Sequence, residues 1–275
     1  MTDGHAMADH WATEDLLARI EAALAAAGLD PARVTVAELA PLDHLHARGF
    51  AATVELADLL PVTAGARLLD IGCGIGGPAR YLAQRFGARV DGIDITPRFV
   101  EIANRLTAAT GLTGRVTAIP GDGQRLPWPE ASFDGALCQH VTMNVPDRPA
   151  FFAEAFRVLR PGGFLALTEH ALGPAGAPHH PVPWSEDGTG AHLIPPEETV
   201  AILTRTGFTG IAMTETGGSY LAGYRKAVAM AEAGRLPVLG PHVLLRAEAT
   251  EKVRNALRNI EEHRTRPVQI LCRKP

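Results

Sequence analysis

The chain has only 3 cysteines in 275 residues, Cys73, Cys138 and Cys272. They are odd in number, far apart and without C-x-x-C spacing, which suggests neither a disulfide framework nor a zinc site and makes a reducing cytoplasm the simplest setting. No apolar run is long enough to span a bilayer, and the opening MTDGHAMADH lacks the charged and hydrophobic regions of a signal peptide. Positive charge is not in excess. Twenty-six Lys and Arg against 30 Asp and Glu give a formal net charge of -4, with the cations scattered, so a nucleic-acid partner is disfavoured. Histidines such as His44, His46, His140, His170, His179 and His180 show no helical pair or fixed ligand spacing, so no metal is expected. No internal repeat is evident. Against these absences stands 46% hydrophobic content, enough to bury a full core, which excludes fibrous and disordered classes.

From Ala66 onward strand-like and helix-like runs alternate, which predicts a parallel sheet with helices on both faces. Strands read at 66–72, 88–94, 116–121, 133–139 and 163–170, followed by 207–216 and the final PVQILCRK. Helices begin near Gly76, Thr96 and Asp147, each with a credible start signal. Upstream, Thr13 to Ala27 has helical periodicity with Thr13 as N-cap, and a second helix runs from Phe50 to Leu60. Two helical segments, at about 220–234 and 241–262, interrupt what would otherwise be a tight antiparallel pair of strands. Between 171 and 195 lies a Gly-, Pro- and His-rich stretch longer than ordinary connections, which reads as a lid or binding loop.

The most informative stretch is LLDIGCGIGGPARYLA, Leu68 to Ala83, where an apolar strand meets a glycine-rich turn that opens a helix. Gly72, Gly74 and Gly77 match G-x-G-x-x-G, in which missing Cβ atoms let the backbone turn sharply and approach a ligand. Taken alone, the turn serves a dinucleotide, a nucleoside or no ligand at all. Asp70 discriminates: a carboxylate at the strand end would repel a pyrophosphate but could hold a cationic amino-acid moiety, which favours S-adenosylmethionine over NAD. Asp94, 22 residues beyond Gly72, can take both ribose hydroxyls in either case. Asp122 can accept the adenine exocyclic amine while the Gly123 amide donates to the ring. Three carboxylates thus end three successive strands along one sheet edge.

These blocks, D-x-G-C-G-x-G-G, G-I-D, G-D-G-x-x-L-P-W, S-F-D and F-R-V-L-R-P-G-G, resemble in order those of the class I S-adenosylmethionine-dependent methyltransferases. The resemblance covers about residues 45–208 and is closest to the small-molecule branch that includes quinone, tocopherol and sarcosine/dimethylglycine methyltransferases. Trp128 stands where Phe is more usual, and Gly123 where Ala is common. The resemblance implies an α/β, Rossmann-like, doubly wound and mostly parallel seven-stranded sheet with an antiparallel last strand and a helical or loop cap. It divides the chain into an N-terminal helical cap segment (1–65), a cofactor-binding core (66–170), a lid loop (171–195) and a C-terminal part (196–275) with a helical insertion at 220–262. It also implies cofactor contacts from Asp70, Gly72, Cys73, Gly74, Gly76, Asp94, Ile95, Asp122, Gly123 and Gln139.

Methyl transfer from a sulfonium is an in-line displacement, so the protein must chiefly position the acceptor and exclude water. In CQHVTMNVPD, after the fourth strand, Gln139 is expected to contact the methionine moiety. His140 reads either as the base for the acceptor's proton or as a strand-end cap. His170 is the second candidate base, with Glu169 beside it; adjacent strand residues face opposite ways, so only one of that pair is expected in the pocket. Asp43, His44 and His46 read as a gate over the cofactor, with Arg48 pairing its carboxylate, or as a polar interhelical turn. Trp184 reads as an aromatic wall for the acceptor or as a pin for its loop. Arg254, Arg258, Arg264 and Arg266, interleaved with Glu248, Glu251, Glu261 and Glu262, read as a salt-bridged solvated face rather than an anion site. The expected activity is methylation of O, N or C on a small molecule. A nicotinamide-dependent oxidoreductase and a noncatalytic nucleoside-binding protein are the alternatives.

Overall fold

A computed structural model of the chain describes residues 15–44, 48–245 and 249–275. Three helices come first: α1 (Leu16–Ala26), α2 (Val36–Asp43) and α3 (Gly49–Leu59). There follow β1 (Arg67–Ile71), α4 (Gly77–Phe86), β2 (Arg89–Asp94), α5 (Pro97–Ala109), β3 (Val116–Pro120), β4 (Phe133–Gln139), α6 (Arg148–Val158) and β5 (Leu159–Leu172). The chain ends with α7 (Pro196–Thr206), β6 (Thr209–Glu215), α8 (Gly217–Glu232), α9 (Ala249–Glu261) and β7 (Thr265–Arg273).

The strands form one seven-stranded sheet in the order β3-β2-β1-β4-β5-β7-β6, with β7 antiparallel to both neighbours. Side chains alternate across it. Leu69, Phe133, Leu167 and Ile270 pack with Phe151 and Phe152 of α6 on one face, while Leu68, Val90, Leu137 and Phe164 pack with Leu82 of α4 and Leu56 of α3 on the other. Burial on both faces explains why these strands read as continuous apolar runs. The strand order reverses between β1 and β4, and in open α/β sheets the crevice at that switch point is where ligands bind.

The expected strands and the three helix starts match the structure, Gly76, Thr96 and Asp147 being the residues that precede α4, α5 and α6. α2 was not anticipated. Thr35 accepts from the Glu38 amide and Glu38 from the Thr35 amide, a capping box that starts the helix, and Pro41 falls within its last turn. The expected Thr13 cap lies outside the described residues; α1 begins at Leu16. β5 is longer than 163–170 because R-P-G-G is drawn into it.

α8 and α9 lie between β6 and β7, and the inserted segment leaves and returns at neighbouring points: Glu215 pairs with Val268, and the Thr216 amide donates to the Pro267 carbonyl (2.9 Å). One stripe of α9 holds the 171–195 loop. Lys252 pairs with Glu186, Asn255 donates to the Pro181 carbonyl (3.0 Å), Asn259 brackets the His179 backbone (2.7 and 3.0 Å), and Glu262 meets the His179 ring (2.8 Å). The arginine-rich end is the ion-paired face expected. Arg258 and Arg264 both reach Glu262, holding its carboxyl down at about 2, and Arg266 spans Glu197 and Glu215. Among the described residues no helix is long and apolar enough to cross a membrane.

Candidate active site

The turn after β1 is fixed by its own backbone. Gly72 and Cys73 both donate to the Ile93 carbonyl (2.7 and 3.1 Å), and Gly72, Gly74 and Gly76 all have positive φ, a region costly to residues with a Cβ. Side chains at Gly72, Gly76 and Gly77 would meet protein. A Cβ at Gly72 would lie 2.2 Å from the Val141 side chain, and one at Gly77 2.5 Å from the Asp43 carbonyl. At Gly74 a Cβ would meet nothing within 4 Å, leaving an open cradle.

Behind the turn sits Arg80, fully buried. Its guanidinium donates to Asp43 (2.7 Å), to the Ile75 carbonyl (2.8 Å) and to the Ala103 carbonyl (3.1 Å), tying α2, the glycine turn and α5 together. Burial lifts the Asp43 carboxyl to about 6, with Arg80 opposing. Asp43 lines the cavity and is also the partner of a buried cation, a role the sequence reading did not include. Arg48 lines the cavity, where it pairs with Glu55 and lies over the Tyr220 ring. Gly76 also departs from expectation: it does not line the cavity, and a Cβ there would meet the Arg80 guanidinium at 2.9 Å.

A cavity of about 1720 Å³ opens over the sheet edge at the switch point. Asp70, Gly72, Cys73, Gly74, Asp94, Ile95, Asp122, Gly123 and Gln139 line it, as do His44, His140, His170 and Trp184. His46 lies outside the described residues. Asp70, 1% exposed, has its carboxyl lifted to about 7, first by burial and second by the charge of Asp94, with the Ala79 amide opposing. One of its oxygens, Oδ2, is buried and has no hydrogen-bond partner among the described residues; the same holds for Gln139 Nε2. Asp94 accepts from the Gly74 amide (2.8 Å) and the Thr96 amide (2.9 Å), so it braces the turn it faces, while burial raises its pKa. Asp122 accepts from the Gln124 amide (2.8 Å). Gly123 has a packing reason for lacking a side chain, since a Cβ would sit 2.6 Å from Phe151. The Cys73 thiol is buried with Val100, Ala103 and Ala118, which pushes its pKa up and leaves the backbone as its contribution to the turn.

The candidate bases meet in one cluster. His140 adopts φ 57, a left-handed conformation uncommon outside glycine, and its amide donates to the Thr168 carbonyl (2.8 Å). Its Nε2 lies 2.6 Å from the Tyr220 hydroxyl. The His140 and His170 rings are 5.4 Å apart, His170 Nε2 is 3.2 Å from the Tyr224 hydroxyl, and Trp184 stacks on His170 at 4.7 Å. Burial raises the pKa of both tyrosines, so both hydroxyls are protonated near neutrality. Glu169 faces the opposite way, as the alternation predicts. It accepts from Arg148 (2.6 Å), Thr142 (2.6 Å) and Thr199 (2.9 Å), a buried polar knot outside the cavity. His44 is buried beside Phe50, with its Nδ1 3.0 Å from the Thr53 hydroxyl, which also donates to Gln139 Oε1 (3.3 Å). Tyr220 and Tyr224 were missed in the sequence. They stand four apart on one face of α8, a spacing that marks a shared helix face. Among the described residues no group of three or more His, Cys, Asp or Glu is placed to hold a metal ion.

The sheet order with a reversed β7 and the acid-lined glycine turn at its switch point form a Rossmann-like α/β domain with a ligand crevice. Residues 69–167 match the family described as a methyltransferase domain, and the chain carries that domain. The chain is 43% identical over 125 residues to the 27-O-demethylrifamycin SV methyltransferase of Amycolatopsis mediterranei, covering 46% of each protein. It is 38% identical over 128 residues to the methyltransferase GfsG of Streptomyces halstedii, again 46% of each. The match thus spans about half the length of these relatives. In three dimensions it superposes with a TM-score of 0.73 on a geranyl diphosphate C-methyltransferase from Streptomyces coelicolor A3(2), solved with S-adenosylhomocysteine, at 16% identity over 100% of this chain and 99% of that one. That likeness shows a shared fold.

Proposed function

We propose that the protein is a methyltransferase that uses S-adenosylmethionine to methylate a small-molecule acceptor. The observation that carries the reading is the convergence of the glycine turn with Asp70, Asp94 and Asp122, from three adjacent strands, on one cavity. The residues present fit the cofactor. At the turn, Asp70 Oδ2 is an unpartnered acceptor and Gln139 Nε2 an unpartnered donor, the pair that an amino-acid zwitterion requires for its ammonium and carboxylate. Asp94 would hold the ribose, Ile95 would lie beneath it, and Asp122 and the Gly123 amide would take the adenine. Bound there, the cofactor supplies an electrophilic methyl group on a sulfonium.

The chain's own contribution is positioning and proton handling. His140 is the favoured base, with Tyr220 orienting its imidazole from the cap side; His170 is the second candidate. His44 and Trp184 contribute to the acceptor wall. Helices α1 to α3, the 171–195 loop and helices α8 and α9 form the cap that excludes water, and 66–170 forms the cofactor-binding core. Three buried free thiols fit a cytoplasmic setting. The nicotinamide-dependent oxidoreductase and the noncatalytic nucleoside binder gain no support from the matches.

Calorimetric titration with S-adenosylhomocysteine, with NADH as control, tests the reading. Micromolar binding of the first alone is expected. Binding of NADH, or silence toward S-adenosylhomocysteine, would overturn it.

A further inference from the structure

The cavity has a second compartment with a chemistry of its own. Pockets for one drug-sized ligand run to roughly 300–1,000 Å³, whereas this one holds about 1720 Å³. Its sheet side carries Asp70, Asp94 and Asp122. Its cap side is walled by Ala227, Met230 and Ala231 on one face of α8, by Leu236, and by Val253 of α9. Such walls offer an acceptor burial of apolar area, with Ser219, Lys226, His242 and Thr250 as the polar side chains among them.

Charge narrows the class. Among the described lining residues the Lys and Arg side chains are Arg48, already paired with Glu55, and Lys226, which is exposed. With no built cationic clamp among these, a phosphorylated or carboxylated acceptor would lose its hydration without gaining a partner for its charge. The shared fold of a geranyl diphosphate methyltransferase therefore does not carry over to its acceptor.

The third observation is Trp184. It is 4% exposed, lines the cavity within the His140–His170 cluster, and its indole N–H has no hydrogen-bond partner among the described residues. The N–H is itself shielded from solvent, so the cost of a buried donor left unmade is relieved only if the ring turns toward a bound acceptor lone pair. An amine has one lone pair, and methylation consumes it. A hydroxyl oxygen has two, one for the indole N–H and one for the new bond.

Resting on the methyltransferase reading above, we propose that the acceptor is an uncharged lipophilic hydroxyl compound, a phenol or enol on a bulky apolar body, methylated on oxygen. The hydroxyl proton passes to the His140 imidazole and the oxygen forms the O–C bond. The S–C bond breaks with its electrons left on sulfur, so no further co-reactant is consumed.

The test is calorimetry on the full chain saturated with S-adenosylhomocysteine, using 2-naphthol and estradiol against phosphoethanolamine and sarcosine. Micromolar binding of at least one phenol and none of the charged probes is expected. Trp184→Phe, which keeps the ring and removes the N–H, should weaken the phenol about fivefold. Ala227→Trp and Val253→Phe should each weaken it about tenfold or more, with S-adenosylhomocysteine affinity held within about twofold as the control for folding. Tighter binding of a charged probe, binding of neither phenol, or phenol affinity indifferent to both cap variants would overturn the proposal. Failure of S-adenosylhomocysteine itself to bind would instead overturn the cofactor reading, and the acceptor class with it.

Discussion

Asp70 should make cofactor affinity depend on pH near neutrality. In the free protein its carboxyl titrates at about 7, because burial and the neighbouring Asp94 both penalise the anion. An ammonium docked on Oδ2 requires that anion, so below pH 7 a proton must leave before the ligand can bind. With Asp70 ionised in the complex, the dissociation constant carries a factor of one plus ten to the power (7 − pH). That factor is roughly 30 at pH 5.5 and close to 1 at pH 7.5, so affinity should improve roughly 25-fold, or ~1.9 kcal/mol, across the range. Titrating S-adenosylhomocysteine in buffers of different ionisation enthalpy reads both the affinity and the proton released. Asp70→Asn should abolish the slope. The sign for stability is opposite: the folded carboxyl binds its proton more tightly than an unfolded one at 3.8, so the cofactor-free protein loses stability as pH rises from about 4 to 7, and the ligand offsets that loss. A wild-type affinity constant within twofold over the whole range would refute the placement of the ligand's ammonium on Asp70.

Three other substitutions separate the roles inferred here. Asp94→Ala should weaken S-adenosylhomocysteine by about 1.5–3 kcal/mol, the scale of lost charge-assisted hydrogen bonds; unchanged affinity in calorimetry would mean the ribose lies elsewhere. His140→Ala should lower kcat by more than about a hundredfold with cofactor affinity intact, whereas a minor loss would show that the acceptor needs no base. Asp43→Ala strands the Arg80 charge in the interior and should cost about 3–5 kcal/mol in urea unfolding. An unshifted midpoint would show that Arg80 finds other partners.

The parts of the site that were legible in the sequence are those encoded locally. The glycine turn and the acids at 70, 94 and 122 sit at fixed places relative to apolar runs, and the alternation along β5 correctly separated His170 from Glu169. What was hidden depends on distant pairing. Nothing near Arg80 announces Asp43, 37 residues away, so the sequence groups Asp43 with its neighbour His44; both line the cavity, but Asp43 is anchored by Arg80 behind it. α2 was obscured by its shortness and by Pro41, although T-V-A-E carried the capping-box signal. Tyr220 reaches His140 across 80 residues of chain, and only the docking of α8 beside β7 and α9 brings the pair together.

The two ends of the cap insertion meet at one rung of the β6–β7 ladder, where Glu215 faces Val268. Topologically, α8 and α9 are a hairpin loop grown large. Such a loop is a cassette: both splice points lie on the same pair of strands, and lengthening a closed loop costs only slowly more entropy. The cap side of the cavity can therefore be exchanged in evolution, or in a chimera, without disturbing the strand ends that carry the three acids.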